Sequence, residues 1–316
     1  MIGGTSIYIY ICFPQSPEQV RLISDIYNQV NARQKNGIFI TIKYDMRNQA
    51  PNSISQYNFL IRSLFHKNSW IIPEKYYRRL HSIFLKFVPK LQFIGIILGH
   101  AIGAYCKDYF AMEMANEVIM VDDGLVVTNT ANIVEIEQKK NIKFFSKYEQ
   151  FLPTDLVHRF LHPTSILFSL ENRLPTNTLI VLGSPLVESN YLSSEVLLNI
   201  IHNVMKELRV DKVIYLMHRR ELPKFDVPWM KEISDDRKSS LEVVLSMKEL
   251  PKFYWSALSS SLVDIALVIG QDKFEFFYTK FMHQAIEHSF YQKYGLSWWE
   301  TLYEVYEKMK FTEIKM

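Results

Sequence analysis

The sequence predicts an α/β protein made of two successive doubly wound domains. Three observations predict it. Apolar runs of strand length, rich in β-branched and aromatic residues, alternate with segments of helical spacing. That rhythm breaks between about Asn129 and Thr178, where charge is mixed and Pro153, Pro163 and Pro175 fall, and then restarts. The chain of 316 residues, 48% hydrophobic and 22% charged, is too long for one ordinary domain and well suited to two packed ones. The expected division is a first domain at 1–150, a connector at 151–178 and a second domain at 179–316.

The first strand is Ile7 to Phe13 (IYIYICF), with the continuous apolar character of a strand buried on both faces. Pro14-Gln15-Ser16-Pro17 ends it. Ser16 can cap a helix over Glu18 to Val30, with Pro17 at the first helical position. A second strand, Gly37 to Tyr44 (GIFITIKY), precedes helices around Ser53 to Phe65 and Glu74 to Val88. Phe93 to Leu98 reads as a third strand and Gly99 to Met114 as a helix. Val118 to Val121 is a fourth strand, running directly into Asp122-Asp123-Gly124.

In the second half, Leu179 to Leu182 is a strand and Gly183-Ser184-Pro185 its turn. Ser193 to Leu208 is an amphipathic helix with Ser193 and Ser194 as caps. Lys212 to Met217 (KVIYLM) is the next strand, ending at His218. Further strands are expected at Glu242 to Leu245, Phe253 to Leu258 and Ala266 to Gly270, with a last helix over Ser297 to Lys310. This is the layout of two facing Rossmann-like domains, in which ligands bind beyond the carboxyl ends of the strands.

Bulk properties exclude several classes. A net charge of +3 without a Lys/Arg block does not suit a nucleic-acid partner. Cys12 and Cys106, both in apolar runs, read as buried thiols rather than a disulfide framework. The N-terminus lacks a basic stretch followed by a cleavage site, and the apolar run Phe93 to Ala104 is interrupted by His100 and too short to span a bilayer. A cytoplasmic protein is expected. Trp298, Trp299, Tyr303 and Tyr306 with Lys308 and Lys310 suit either a helix lying against the inner face of a membrane or one packed back on its own domain.

Three groups could carry chemistry. A carboxylate in Asp122-Asp123-Gly124, at a strand end beside a glycine, can point into a cleft; the same residues also make a plain solvated turn. His218 with Arg219 and Arg220 forms either an anion site or a basic surface loop. Ser259-Ser260-Ser261 before an apolar segment offers hydroxyls and backbone N–H groups to a phosphate, or simply caps a helix. His162-Pro163 falls in the connector. Gly99-x-x-x-Gly103 lacks the remaining residues of a P-loop or dinucleotide fingerprint. No Cys/His set has zinc spacing, and there is no Gly-x-Ser-x-Gly elbow or Asp-x-Asp pair.

These pieces, in this order, resemble the bacterial sialyltransferases of glycosyltransferase family 52 and its relatives, which have the GT-B architecture. Asp122-Asp123-Gly124 matches the family's Asp/Glu-Asp-Gly motif, and Ser260-Ser261 its serine pair. His218-Arg219-Arg220-Glu221 resembles His-Pro-Arg-Glu, with Arg219 in place of the proline. Cys12 to Gln19, Gly183-Ser184-Pro185-Leu186 and Leu241-Glu242-Val243 resemble other family segments.

The resemblance implies an inverting, metal-independent transfer of sialic acid, or a related nonulosonic acid, from its CMP-activated donor to a glycan hydroxyl of a bacterial surface polysaccharide or lipooligosaccharide. It implies Asp123 as the base and His218 at the departing phosphate; Arg219 and Arg220 are candidate substrate-binding residues from their own charge at the strand end. Ser260 and Ser261 would help at the phosphate, Glu242 would hold the ribose, and Gly183 and Ser184, in the opening turn of the second domain, are further substrate-binding candidates. No cofactor is implied beyond the CMP-sialic acid donor, and a homodimer is expected from the family. Two other readings remain: a transferase of the same fold using another nucleotide sugar, such as a glucosyltransferase, and a carbohydrate-binding protein on a degenerate transferase fold.

Overall fold

The computed structural model describes residues 8–33, 37–45, 51–63, 69–87, 94–98, 117–121, 142–146, 148–152, 157–159, 175–222, 225–235, 237–280 and 297–315. Two compact units divide the chain: 1–49 with 53–160, and 161–316 with 50–52.

The first unit carries a parallel sheet of β1 (Tyr8–Phe13), β2 (Gly37–Lys43), β3 (Ser69–Pro73), β4 (Ile94–Leu98), β5 (Glu117–Val121), β6 (Ile142–Ser146) and β7 (Val157–Arg159). Their order is β3-β2-β1-β4-β5-β6-β7. β1 lies centrally, with Tyr10 opposite Phe39 on one side and Gly95 on the other. The helices α1 (Pro17–Arg33), α2 (Pro51–Ser63) and α3 (Glu74–Phe87) follow β1, β2 and β3 in turn. As expected, α1 starts at Pro17, and the Ser16 hydroxyl accepts the Gln19 N–H at 3.3 Å. Tyr10 stacks on Phe39 with ring centroids 4.9 Å apart, and Tyr27 meets Phe39 edge-on. Cys12 is fully buried, and burial pushes its thiol pKa well up, so it is an inert core residue.

The second unit contains β8 (Pro175–Leu182), α4 (Ser194–Leu208), β9 (Val213–Leu216), β10 (Met230–Ile233), α5 (Ser240–Ser246), β11 (Leu250–Ser256), α6 (Ser261–Ile269), β12 (Glu275–Tyr278), α7 (Ser297–Lys308) and β13 (Thr312–Glu313). The sheet is parallel in the order β10-β9-β8-β11-β12-β13. Strand order therefore reverses between β8 and β11, which is the topological switch point of a Rossmann-like sheet. Ser193 caps α4 by accepting the Val196 N–H at 3.2 Å, as its sequence position predicts.

Three expectations are corrected. Glu242 to Leu245 is not a strand but lies in helix α5. Ser239 accepts the Glu242 N–H, the Glu242 carboxylate accepts the Ser239 N–H, and this capping box selects a helix. Ala266 to Gly270 is likewise no strand: Ala266 to Ile269 close helix α6 and Gly270 caps it. With Leu262, Val263, Ile265, Ala266 and Val268 all buried, the helix is apolar on nearly every side, so periodicity cannot separate it from a strand. The stretch 151–178 is not wholly connector. It supplies β7 to the first sheet and Pro175 to Thr178 as the start of β8. The last helix packs back on its domain through Leu302, Val305 and Tyr306, all buried. No described helix is long and apolar enough to cross a membrane.

Candidate functional site

The carboxyl ends of β8, β9 and β11, adjacent in the second sheet, bring together Gly183 and Ser184, His218 to Arg220, and Ser259 to Ser261. Each is the first polar segment after a buried apolar strand. The sequence therefore fixes them at one edge of the sheet, beside the β8/β11 switch point.

Hydrogen bonds tie these loops into one body. The Ser184 hydroxyl donates to the Leu258 carbonyl at 2.5 Å, and Ser256 donates to the Leu182 carbonyl at 3.2 Å, so the β8 and β11 ends hold each other. Glu188 accepts the Leu222 N–H at 3.1 Å, tying the loop after β8 to the loop after β9.

The loop after β9 is closed by a turn in which the Glu221 N–H donates to the His218 carbonyl at 2.8 Å. Glu221 is only 1% exposed. One carboxylate oxygen, Oε2, accepts the His218 N–H at 2.6 Å, and Oε1 accepts the Tyr215 hydroxyl at 2.8 Å. Burial first, and the Glu221 charge second, raise the Tyr215 pKa well above its ordinary value, so the phenol keeps its proton and remains a donor. Gly183 is packed directly against this carboxylate: a Cβ there would lie 2.0 Å from Glu221 Oε2 and 2.9 Å from the His218 nitrogen. The half-buried His218 ring accepts the Arg220 N–H on Nδ1 at 3.2 Å.

After β11, Leu262 N–H donates to the Ser259 carbonyl at 3.1 Å, and Val263 and Asp264 N–H donate to the Ser260 carbonyl at 3.0 and 3.1 Å. The Ser260 hydroxyl makes no capping hydrogen bond. Ser260 and Ser261 are partly exposed at the N-terminus of α6, where backbone dipoles favour an anion; Asp264 in the first turn shares that field. The turn is anchored from α7, where the Tyr306 hydroxyl donates to the Ser259 carbonyl at 2.8 Å and accepts the Ser259 N–H at 3.1 Å. Tyr306 is fully buried, and burial raises its pKa.

Glu242 stands apart from these ties. Its carboxylate accepts the Ser239 N–H at 2.6 Å and the Ser239 hydroxyl at 2.9 Å. α5 packs on α6, the helix that starts at Ser261. Asp122, Asp123 and Gly124 lie outside the described residues; β5 ends at the buried Val121. His162-Pro163 and the Gly99 to Gly103 segment also lie outside them. Among the described residues there is no group of three His, Cys, Asp or Glu able to hold a metal ion.

No protein-family model matches the sequence, and no curated protein matches it. Solved structures do. UDP-GlcNAc 2-epimerase from Methanocaldococcus jannaschii, in complex with UDP-GlcNAc and UDP, superposes with a TM-score of 0.50 at 11% identity, over 86% of this chain and 83% of that one. The GT-B domain of a sialyltransferase from Photobacterium damselae gives 0.46 at 12% identity, over 98% and 100%. ADP-heptose LPS heptosyltransferase II from E. coli gives 0.34 at 12% identity, over 86% and 84%.

The chain has the α/β GT-B fold. In this fold Gly183, Ser184, His218, Arg219, Arg220, Ser260 and Ser261 follow the carboxyl ends of β8, β9 and β11, and they are the candidate site of the second unit. Sequence reasoning missed the groups that hold the site rather than line it: Tyr215, Ser256 and Tyr306. Glu221 was visible in sequence only as the last residue of a motif. Its signal is the spacing His-x-x-Glu directly after a strand, which suits a turn closed by the acid. Tyr306, 47 residues beyond Ser259, has no local signal.

Proposed function

We propose that the protein is an inverting glycosyltransferase acting on a CMP-activated nonulosonic acid, most simply CMP-sialic acid, with a bacterial surface glycan as acceptor. The observation that supports this is the placement of His218 after β9 and of Ser260 and Ser261 after β11, at the carboxyl ends of the two strands that flank β8, in the order that the family 52 resemblance requires. A His donor, two hydroxyls and the N-terminus of α6 would supply the donors that a leaving phosphate needs.

The anomeric carbon of such a donor is fully substituted, so bond breaking to the phosphate runs ahead of attack and the transition state is oxocarbenium-like. The protein then has two tasks. It stabilises the departing CMP phosphate, through His218, Ser260, Ser261 and the cationic Arg219 and Arg220. It also removes the proton of the acceptor hydroxyl, a role assigned to Asp123. Each positioned acid or base is worth about 10²–10⁴ in rate. Glu242, oriented by its capping box, is assigned to the ribose hydroxyls. Direct displacement inverts the anomeric centre, and the resemblance implies no metal.

Titration calorimetry with CMP, UDP and their sugars tests the reading. CMP binding with transfer from CMP-sialic acid is expected, with activity retained in EDTA. Asp123→Asn should abolish transfer while leaving CMP affinity within about twofold. A uridine nucleotide is the second reading, favoured by the likeness to an epimerase solved with UDP and UDP-GlcNAc. Binding of UDP but not CMP would select it.

A further inference from the structure

We infer that Glu221 is a positioning residue for His218, which it clamps so that the imidazole carries its proton on Nε2. The use of that proton rests on the reading of His218 as a donor to the nucleotide phosphate; the clamp itself does not.

Both peptide groups of His218 are held by the same residue. Its carbonyl accepts the Glu221 N–H at 2.8 Å, and its N–H donates to Glu221 Oε2 at 2.6 Å. In the turn so formed, the Arg220 N–H meets His218 Nδ1 at 3.2 Å. A ring nitrogen that accepts an N–H must present its lone pair, so in the neutral ring the proton is on Nε2. The clamp has little freedom to shift. Tyr215 holds Oε1 at 2.8 Å, and Gly183 leaves no room for even a Cβ beside Oε2.

The chemistry of the choice points the same way. A carboxylate 1% exposed is costly to desolvate, and an apolar side chain often serves stability as well or better. What an apolar residue cannot do is accept the His218 N–H and so hold the turn that brings Arg220 onto Nδ1. The acid is explained by the ring it orients rather than by the core it fills.

The test is ¹⁵N NMR of the imidazoles in the full chain, without nucleotide, with His218 assigned by its missing signals in His218→Gln. Wild type should show an acceptor-type Nδ1 and a protonated Nε2. Glu221→Gln should keep this pattern, because its amide oxygen can accept the His218 N–H and its NH₂ can donate to Tyr215. Glu221→Met keeps the volume, removes both acceptors, and should give averaged tautomer signals. Its Kd for CMP should rise about tenfold, the scale of one good hydrogen bond.

A wild-type proton on Nδ1 overturns the inference without need of any variant, and an unchanged tautomer in Glu221→Met does so too. If wild type binds no CMP, the nucleotide reading falls while the tautomer measurement still decides the role of Glu221.

Discussion

Gly183→Ala is the sharpest probe of the site. Gly183 is not in the left-handed region, since Gly270 is the described glycine with positive φ, so the cost of a side chain here is steric rather than conformational. The added Cβ would sit 2.0 Å from Glu221 Oε2, 3.0 Å from Glu221 Cδ and 2.9 Å from the His218 nitrogen. Relief to ordinary contact near 3.4 Å requires the carboxylate to move by about 1.4 Å (3.4 less 2.0). The His218 hydrogen bond, 2.6 Å long, does not survive that shift. Overpacking of a filled interior costs about 1–3 kcal/mol, and a buried group stripped of its partner about 1–3 more. A loss of about 2–6 kcal/mol is therefore expected by urea denaturation, with the m-value unchanged. The cause is checked by combining Gly183→Ala with Glu221→Ala. Truncating the acid vacates the space, so the pair should cost less than the sum of the singles by about 1–2 kcal/mol. A single variant within 0.5 kcal/mol of wild type would refute the packing described between Gly183 and Glu221.

Three further outcomes are expected. Tyr254 is fully buried, and its hydroxyl has no hydrogen-bond partner among the described residues, so Tyr254→Phe should stabilise the protein by about 1 kcal/mol in thermal or urea unfolding while keeping the stack on Phe276. Tyr306→Phe keeps the ring and removes both hydrogen bonds to Ser259, so it should cost about 1–3 kcal/mol by the same assay. Burial first, and the neighbouring Glu18 second, push Asp25 up to about 6 in the folded chain. A carboxyl raised above its unfolded value near 3.9 makes the fold lose stability as pH rises from about 4 to about 6. Asp25→Asn should remove that slope and, after discounting for partial exposure, gain about 1 kcal/mol at pH 7, read from urea melts across pH 4–7.

The parts of the fold visible in sequence are those set by local physics. β1 and β8 are apolar runs bounded by turn residues, and Ser16 and Ser193 cap their helices where a hydroxyl precedes a helical pattern. Misreadings arose where local signals conflict or vanish. Val243, Val244 and Leu245 favour a strand by composition, yet the Ser239–Glu242 box immediately before them decides for a helix. β10 (MKEI) and β13 (TE) are broken by charged residues and β12 (EFFY) has only three apolar residues after an acid, so none makes an apolar run like the equally short β9 (VIYL). In the site, strand-end residues such as His218, Ser184 and Ser260 were legible because a parallel sheet delivers them to one edge. Tyr306 was not, because its bond to Ser259 exists only once α7 has docked.

That division bears on how the loop after β9 keeps its shape. Arg219 occupies the second position of the turn, a position that suits proline, a residue that fixes φ before folding begins. Arginine supplies no such restraint, and sequence alone would therefore describe a looser loop. The structure shows rigidity obtained differently: Glu221 binds both peptide groups of His218, Tyr215 and Gly183 hold the acid in place, and Glu188 secures the next residue, Leu222. Proline acts mainly by limiting the unfolded chain, whereas the buried acid acts in the folded state alone. This loop should accordingly be rigid only while the second unit is folded around it. Its order depends on residues that come from both β8 and β9, and so on the packing of the sheet edge as a whole.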